Sequence, residues 1–294
     1  MILIVGATGR LGGHAARQLL EKGHAVRAMT RDPARARDLE TAGAEVVQGD
    51  LRDTESLRHA TRGARAVISS SHSMLGAGRS SSARVDDEGQ RALIAASKEA
   101  GVAHFVFTSV LGASSDHPVD FWRTKERIER HLESSGLRHT IVRPSAFMEI
   151  YAYDLIGKPV TTGKRVMLLG PGTNPRNYVA AADVARLVVL AIEDVRLRGR
   201  TVEIGGPENL SAHQVVETFE RVTGKKAKVS HVPLPMVRLI SGMMGTFHPG
   251  VGRILKAAIV GETTDQTFEP ASLLAEFPIE LTPLEDWVRA RVGG

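Results

Sequence analysis

Short apolar runs rich in β-branched residues alternate with amphipathic stretches through the first half of the chain. The runs Ile2–Val5, Ala25–Met29, Glu45–Gln48, Ala66–Ser69, His104–Thr108 and Arg138–Val142 read as strands. Between them the apolar spacing lengthens to about 3.6, the helical period. Leu11, Ala15 and Leu19 share one helix face, and another helical pattern runs from about Ser82 to Ala100. Strands alternating with helices predict βαβ units, right-handed crossovers and a doubly wound parallel α/β sheet.

The rhythm breaks after Pro144, where Gly157-Lys158-Pro159 and Gly170-Pro171-Gly172 punctuate the chain. Val184, Leu187, Val188 and Ala191 then form a helical stripe, and Thr201–Ile204 reads as a strand before the turn Gly205-Gly206-Pro207. Ser211 and Gln214 fit a capping box for a helix carrying Val215, Phe219 and Val222. Pro233–Gly261 is apolar, methionine-bearing and broken by glycines, which predicts short helices over a cleft. The expected division is a Rossmann-type domain over 1–150, with 175–205 returning to its sheet, and a smaller C-terminal α+β substrate lobe from 151–174 and 206–294.

Gly6-Ala7-Thr8-Gly9-Arg10-Leu11-Gly12 follows the first strand and opens the first helix. Three glycines at this spacing permit a tight turn, close approach of backbone N–H groups to a pyrophosphate, and close helix–strand packing. The helix N-terminus adds partial positive charge for an anion. Gly6, Thr8, Gly9, Arg10, Leu11 and Gly12 are therefore candidate dinucleotide contacts. Arg31 follows the second strand, where an arginine would accept an adenosine 2′-phosphate and an acid would bind the ribose instead. Arg31 and Arg10 favour NADP(H), with NAD(H) as the alternative because Asp32 adjoins Arg31. Asp50 and Leu51 end the third strand, at a position bordering an adenine pocket; a helix N-cap is the other role open to Asp50.

Composition narrows the chemistry. The chain has no cysteine, which excludes disulfides, thiolate metal sites and cysteine nucleophiles. Its 11 histidines are dispersed without ligand spacing, and no metal is expected. G-x-x-x-x-G-K-[ST], H-E-x-x-H and G-x-S-x-G are all absent. The net charge of +5 invites nucleic acid, but 4% aromatic residues supply few stacking platforms. No run reaches the roughly 18 apolar residues of a membrane span, and the start has no basic leader, so a cytoplasmic protein without membrane contact is expected.

Read together, the glycine turn, Gly49-Asp50-Leu51, His104-Phe105-Val106-Phe107-Thr108-Ser109, Thr140-Ile141-Val142-Arg143-Pro144, and Asn177-Tyr178-Val179 before Asp183-Val184-Ala185 resemble the atypical short-chain dehydrogenase/reductases of the NmrA-like group. The resemblance implies NAD(P) at the strand C-termini and a substrate lobe from the C-terminal segments. The wider family carries Tyr-x-x-x-Lys on a helix and a serine from the strand before it. Here Lys125 is present, Phe121 stands at the tyrosine position, and Ser109 ends the preceding strand. By the same likeness Pro144, Ser145 and Phe147 line the nicotinamide face, with Met148 and Tyr151 beginning a substrate pocket.

The spacing of Phe121, Lys125, Ile128 and Leu132 independently puts Lys125 on an inward helix face, where an ammonium needs partners such as ribose hydroxyls. Ser69, Ser70, Ser71 and His72 follow the fourth strand and would border ribose and diphosphate. The serine- and glycine-rich loop to Ser82 is expected to act as a lid. His72, Tyr151 and Tyr153 are candidate substitutes for the missing proton donor. Two functions follow: an NADP(H)-dependent oxidoreductase acting on a small quinone, enone or carbonyl compound, or a non-catalytic redox sensor that contacts a regulatory protein partner.

Overall fold

The computed structural model describes residues 1–74, 76, 78 and 81–293. The strands, in chain order, are β1 (Ile2–Val5), β2 (Val26–Thr30), β3 (Glu45–Gln48), β4 (Ala66–Ser69), β5 (His104–Thr108), β6 (His139–Pro144), β7 (Ala146–Phe147), β8 (Arg165–Leu169), β9 (Arg176–Val179), β10 (Arg200–Ile204), β11 (Asn209–Leu210) and β12 (Lys228–Val232). The chain divides into two compact units, 1–143 with 184–203, and 144–183 with 204–294.

The first unit is built on a seven-stranded sheet in the order β10-β6-β5-β4-β1-β2-β3. Pairings from β6 through to β3 are parallel, with Ile4 opposite Ala28 on one side and Ile68 on the other. A parallel sheet covered on both faces needs strands apolar throughout. Accordingly β1, β4 and β5 are buried at every position. One face packs Leu3, Val5, Val67, Phe105, Phe107 and Ile141 against Leu57, Leu93, Ile94, Ile128 and Leu132 of the flanking helices. Each such side chain contributes roughly 1.5–3 kcal/mol on burial. The helical pattern after Ser82 begins as a π-helical segment, Ala83–Glu88, before the α-helix Gly89–Glu99.

The return to the large sheet is made by β10. Strand β9 does not join it: β9 lies between β11 and β7 in a three-stranded sheet of the second unit. There, a separate core forms from Met148, Ile156, Val166, Leu168, Val215, Phe219, Leu284 and Val288. The Ser211–Gln214 capping box is present in full and opens the helix Ala212–Thr223. Pro233–Gly261 forms not short helices but two long ones, Leu234–Phe247 and Pro249–Thr263. Met236, Leu239, Met243 and Phe247 on the first of them are exposed. No helix among the described residues is long and apolar enough to cross a membrane.

Candidate functional site

Strand C-termini of a parallel sheet share one edge, and adjacent strands bring their exits together. The exits of β1 to β5 carry Gly6, Arg31, Gly49-Asp50, Ser69–His72 and Ser109.

At the first exit Gly6 has φ +90°, a left-handed conformation that costs a residue with Cβ. Gly9 is the N-cap of the helix Arg10–Glu21, provides no side-chain cap, and donates its N–H to Gly6 O at 2.9 Å. The first turn of that helix holds no acidic residue, so its positive end is left for an external anion. A Cβ at Gly12 would lie 2.2 Å from Gly6 O and 2.7 Å from Ser70 Oγ. Thr8 is half-buried, Arg10 exposed and Leu11 buried.

At the adenine-side exits Arg31 is exposed. The Asp32 side chain accepts from the Ala34 N–H at 3.1 Å and caps a 3₁₀ turn, so it is already engaged. The capping role open to Asp50 falls instead to Asp53, which accepts from the N–H groups of Glu55 and Ser56. Asp50 binds Arg52 through both its backbone N–H and its guanidinium. That pairing, aided by the Arg31 charge, holds the Asp50 carboxyl below the usual range. Asp50, Arg52, Asp53 and Arg84 line a cavity of about 500 Å³; Leu51 is buried beside it in sequence. Arg52 and Arg84 escaped the sequence reading because no motif marks them.

The β5 exit is the most unusual. Lys125 is 3% exposed, and its ammonium donates to Thr108 O at 2.9 Å. It also lies 4.7 Å from the centroid of the Phe107 ring and 5.6 Å from that of Phe121. The helix Asp120–Ser134 holds it there by burying Phe121, Ile128 and Leu132 on the same stripe. Burial pushes the Lys125 pKa down, opposed by the charges of Asp86 and Glu129. At the same strand exit, the buried hydroxyls of Thr108 and Ser109 have no hydrogen-bond partner. Such orphaned groups are costly and call for a ligand or water. His72 makes an edge contact with Phe121 at 6.0 Å. Crowding by the protein, then the Lys125 charge, hold its pKa below an ordinary histidine's. One side of the residue stays exposed, so that desolvation is partial.

Asp86, which sequence reasoning overlooked, fastens the serine loop at both shoulders. It accepts from the Ser73 N–H at 2.9 Å and from Ser82 Oγ at 2.5 Å. Gln90 adds a second clamp, accepting from Ser69 Oγ at 2.7 Å and donating to Ser71 O at 3.4 Å. Ser70 Oγ donates to Val5 O at 3.1 Å. The expected lid falls partly on Leu75, Ala77, Arg79 and Ser80, which lie outside the described residues.

The remaining candidates belong to the second unit. Pro144 ends β6 and Phe147 is half-buried in β7. Ser145 Oγ donates to Asn177 Oδ1 at 2.7 Å, so this hydroxyl is held within the protein. Asn177 is a fully buried hub whose amide also donates to Gly206 O and accepts from the Gly206 N–H. Met148 is wholly buried in the core rather than exposed to a pocket. Tyr153 packs among Phe219, Trp287 and Arg291. Tyr151 stacks under Arg176, 5.1 Å from Cζ to ring centroid. Among the described residues no three His, Asp or Glu side chains are grouped to hold a metal ion.

The chain has known relatives. The chain is similar to the photosystem II assembly factor Ycf39 of Synechocystis sp., 30% identical over 302 residues, spanning 99% of this chain and 90% of that protein. It is also similar to the NAD(P)H azoreductase of Xenophilus azovorans, 30% identical over 250 residues, with 83% and 82% of the two chains covered. Among solved structures, the NADPH-dependent quinone oxidoreductase of Escherichia coli complexed with NADPH has the same fold, with a TM-score of 0.80 and 22% identity over 99% of both chains. A family model described as NmrA-like matches residues 1–270, from the first strand into the second unit's last third, and the chain belongs to the NmrA-like family.

Proposed function

We propose that the protein is an NADP(H)-dependent oxidoreductase that reduces a small electrophilic organic molecule: a quinone, an enone or a carbonyl compound. One observation carries this reading: a buried lysine with two orphaned hydroxyls at the carboxyl edge of the sheet that also carries a side-chain-free glycine turn. These residues fit a dinucleotide. The N–H groups from Gly6 to Gly12 would hold its pyrophosphate, with Thr8 and Leu11 forming the walls of the turn. Arg31 and Arg10 would take the 2′-phosphate, and Asp50 and Leu51 would border the adenine. Ser69, Ser70, Ser71 and His72 would border the ribose and diphosphate.

When bound, the reduced nicotinamide supplies a hydride for the acceptor. Lys125 has N–H donors beyond its Thr108 bond that would orient a ribose hydroxyl and steady negative charge developing on the acceptor. The low-dielectric wall of Phe107 and Phe121 strengthens that interaction. Ser109 Oγ offers a further donor. Phe121 has no proton to give, so the proton that completes the reduction would come from water or from another residue. The relatives named for azo and quinone reduction support the substrate class. The test is loss of 340 nm absorbance from NADPH against quinones, enones and aldehydes, by wild type and Lys125→Met. Turnover abolished by the substitution supports the proposal; turnover unaffected by it refutes the role of Lys125.

A second reading is a non-catalytic NAD(P)-binding redox sensor that contacts a protein. It is favoured by Phe121 in place of tyrosine, by the exposed apolar face of Leu234–Phe247, and by relatives named as assembly factors. Tight cofactor binding, with no oxidation of NADPH by any acceptor and a specific protein partner, would favour it over the enzyme.

A further inference from the structure

The second unit contains an arginine without an acid. Arg176 at the start of β9 is half-buried, yet among the described residues its guanidinium makes no hydrogen bond and no ion pair; its one recorded side-chain interaction is the stack on Tyr151. Other partly buried arginines behave differently. Arg143 grips Glu129 through two bonds, at 3.0 and 2.6 Å, and Arg27 binds Glu45 and two carbonyls. A half-buried guanidinium with no acceptor among the described residues keeps its planar fork available to a bidentate anion.

The surroundings are built around it. A Cβ at position 261 would fall 1.7 Å from Arg176 Nη2, so one arm of the fork occupies space that any side chain there would take. Gly261 is itself pinned, its carbonyl accepting from Asn174 Nδ2 at 2.7 Å. Tyr178 is 4% exposed and Tyr151 half-buried; neither hydroxyl has a hydrogen-bond partner among the described residues. Burial raises the pKa of both phenols against the pull of Arg176, and at Tyr178 the Glu262 charge adds to the rise. Glu262 itself accepts from the Gly172 N–H at 3.0 Å.

We propose that Arg176, Tyr151 and Tyr178 form a subsite for an oxyanion, a carboxylate or phosphate group carried by the protein's organic ligand. The planar fork stacks on Tyr151, Tyr178 lies two residues along the same strand, and among the described residues no hydrogen-bond partner holds the fork or either phenol. That this ligand is the hydride acceptor rests on the oxidoreductase reading; the subsite itself does not.

The experiment therefore has two arms on the full chain. In the first, benzoate, phenyl phosphate and neutral benzamide are titrated by calorimetry without cofactor. Wild type should bind benzoate or phenyl phosphate, whichever the ligand's oxyanion resembles, and not benzamide. Arg176→Met should lose about tenfold or more in affinity, as expected for a charge-assisted pair, and Tyr178→Phe should lose less. Arg176→Lys, which keeps the charge and loses the fork, provides a second reading should the methionine variant not fold. In the second arm, 1,4-naphthoquinone is compared with its 2-carboxy derivative. Arg176→Met should raise KM for the carboxylated quinone about tenfold and leave kcat and the parent quinone unchanged. Failure of wild type to bind either anion, or equal binding by wild type and both Arg176 variants, overturns the subsite. Arg176-dependent anion binding without turnover of either quinone upholds the subsite and counts against the oxidoreductase.

Discussion

Replacing Gly12 by alanine puts a methyl carbon 2.2 Å from Gly6 O, 2.8 Å from Gly6 C and 2.7 Å from Ser70 Oγ. Two of those atoms are backbone, so no rotamer change relieves the contact and the helix must move away from β1 by about 1 Å to reach ordinary packing distance. Overpacking of this kind costs about 1–3 kcal/mol, and the backbone obstacle puts Gly12→Ala at the upper end. Alanine returns about 1 kcal/mol through helix propensity, leaving a net loss of about 1–2 kcal/mol. Gly13 is the internal control. Its Cβ would sit 3.4 Å from Ala7 O and 3.4 Å from Arg17 Nη1, the movable end of a side chain. Gly13→Ala keeps the propensity gain without the clash and should stabilise by about 0.5–1 kcal/mol. At roughly 2–4 °C per kcal/mol, the two variants should melt several degrees apart on opposite sides of wild type. Thermal unfolding by circular dichroism reads the first effect, and NADPH titration by fluorescence reads the second. Gly12→Ala should bind weakly because the displaced turn no longer presents its N–H groups. Equal melting temperatures for the two variants, or undiminished NADPH affinity in Gly12→Ala, would refute the close-approach argument.

Lys125→Met should lower turnover about a hundredfold or more, the usual effect of removing one preorganised donor, with an unchanged far-ultraviolet spectrum; retained activity would move the lysine out of the reaction. Arg31→Ala should cut the preference for NADPH over NADH about 10–100-fold, the worth of one charge-assisted bond, and a constant affinity ratio would reject the phosphate contact. His104 is buried, accepts no hydrogen bond at Nδ1, and donates from Nε2 to Thr140 Oγ1, which itself donates to Leu197 O. Burial lowers its pKa from 6.5 to about 4, so between those values the unfolded chain takes up a proton that the folded one refuses. Stability is lost as pH falls through this window, by about 3 kcal/mol at roughly 1.4 kcal/mol per pH unit. His104→Phe should flatten that part of the pH–stability curve in denaturant titrations; an unchanged slope would remove His104 as the source.

The alternating half of the fold was legible because both signals that reveal it are local. Periodicity located β1 to β6 within a residue or two, and the inward stripe of Phe121, Lys125, Ile128 and Leu132 placed the lysine before any coordinates. The Ser211 cap was readable for the same reason: its partners are three residues apart. Two-residue strands such as β7 and β11 are too short to show a period, and β9, Arg-Asn-Tyr-Val, carries no apolar run to mark which sheet it joins. The clamps made by Asp86 and Gln90, and the Asn177 hub, join residues between 4 and 91 positions apart. No local pattern distinguishes such residues from ordinary surface polars. The cap that was one of two roles open to Asp50 is taken by Asp53, three residues on, which carries the same side chain.

The chain crosses between its two units three times, and β10 reaches the outer edge of the large sheet only after residues 144–183 have been laid down elsewhere. During synthesis, then, the flank of β6 stands open until residue 204 has left the ribosome. A gene cut near residue 150 would leave that apolar flank permanently uncovered, an invitation to strand-to-strand aggregation. A productive dissection would keep residues 184–204 with the first unit, joined to β6 by a linker long enough for the crossover that parallel strands require.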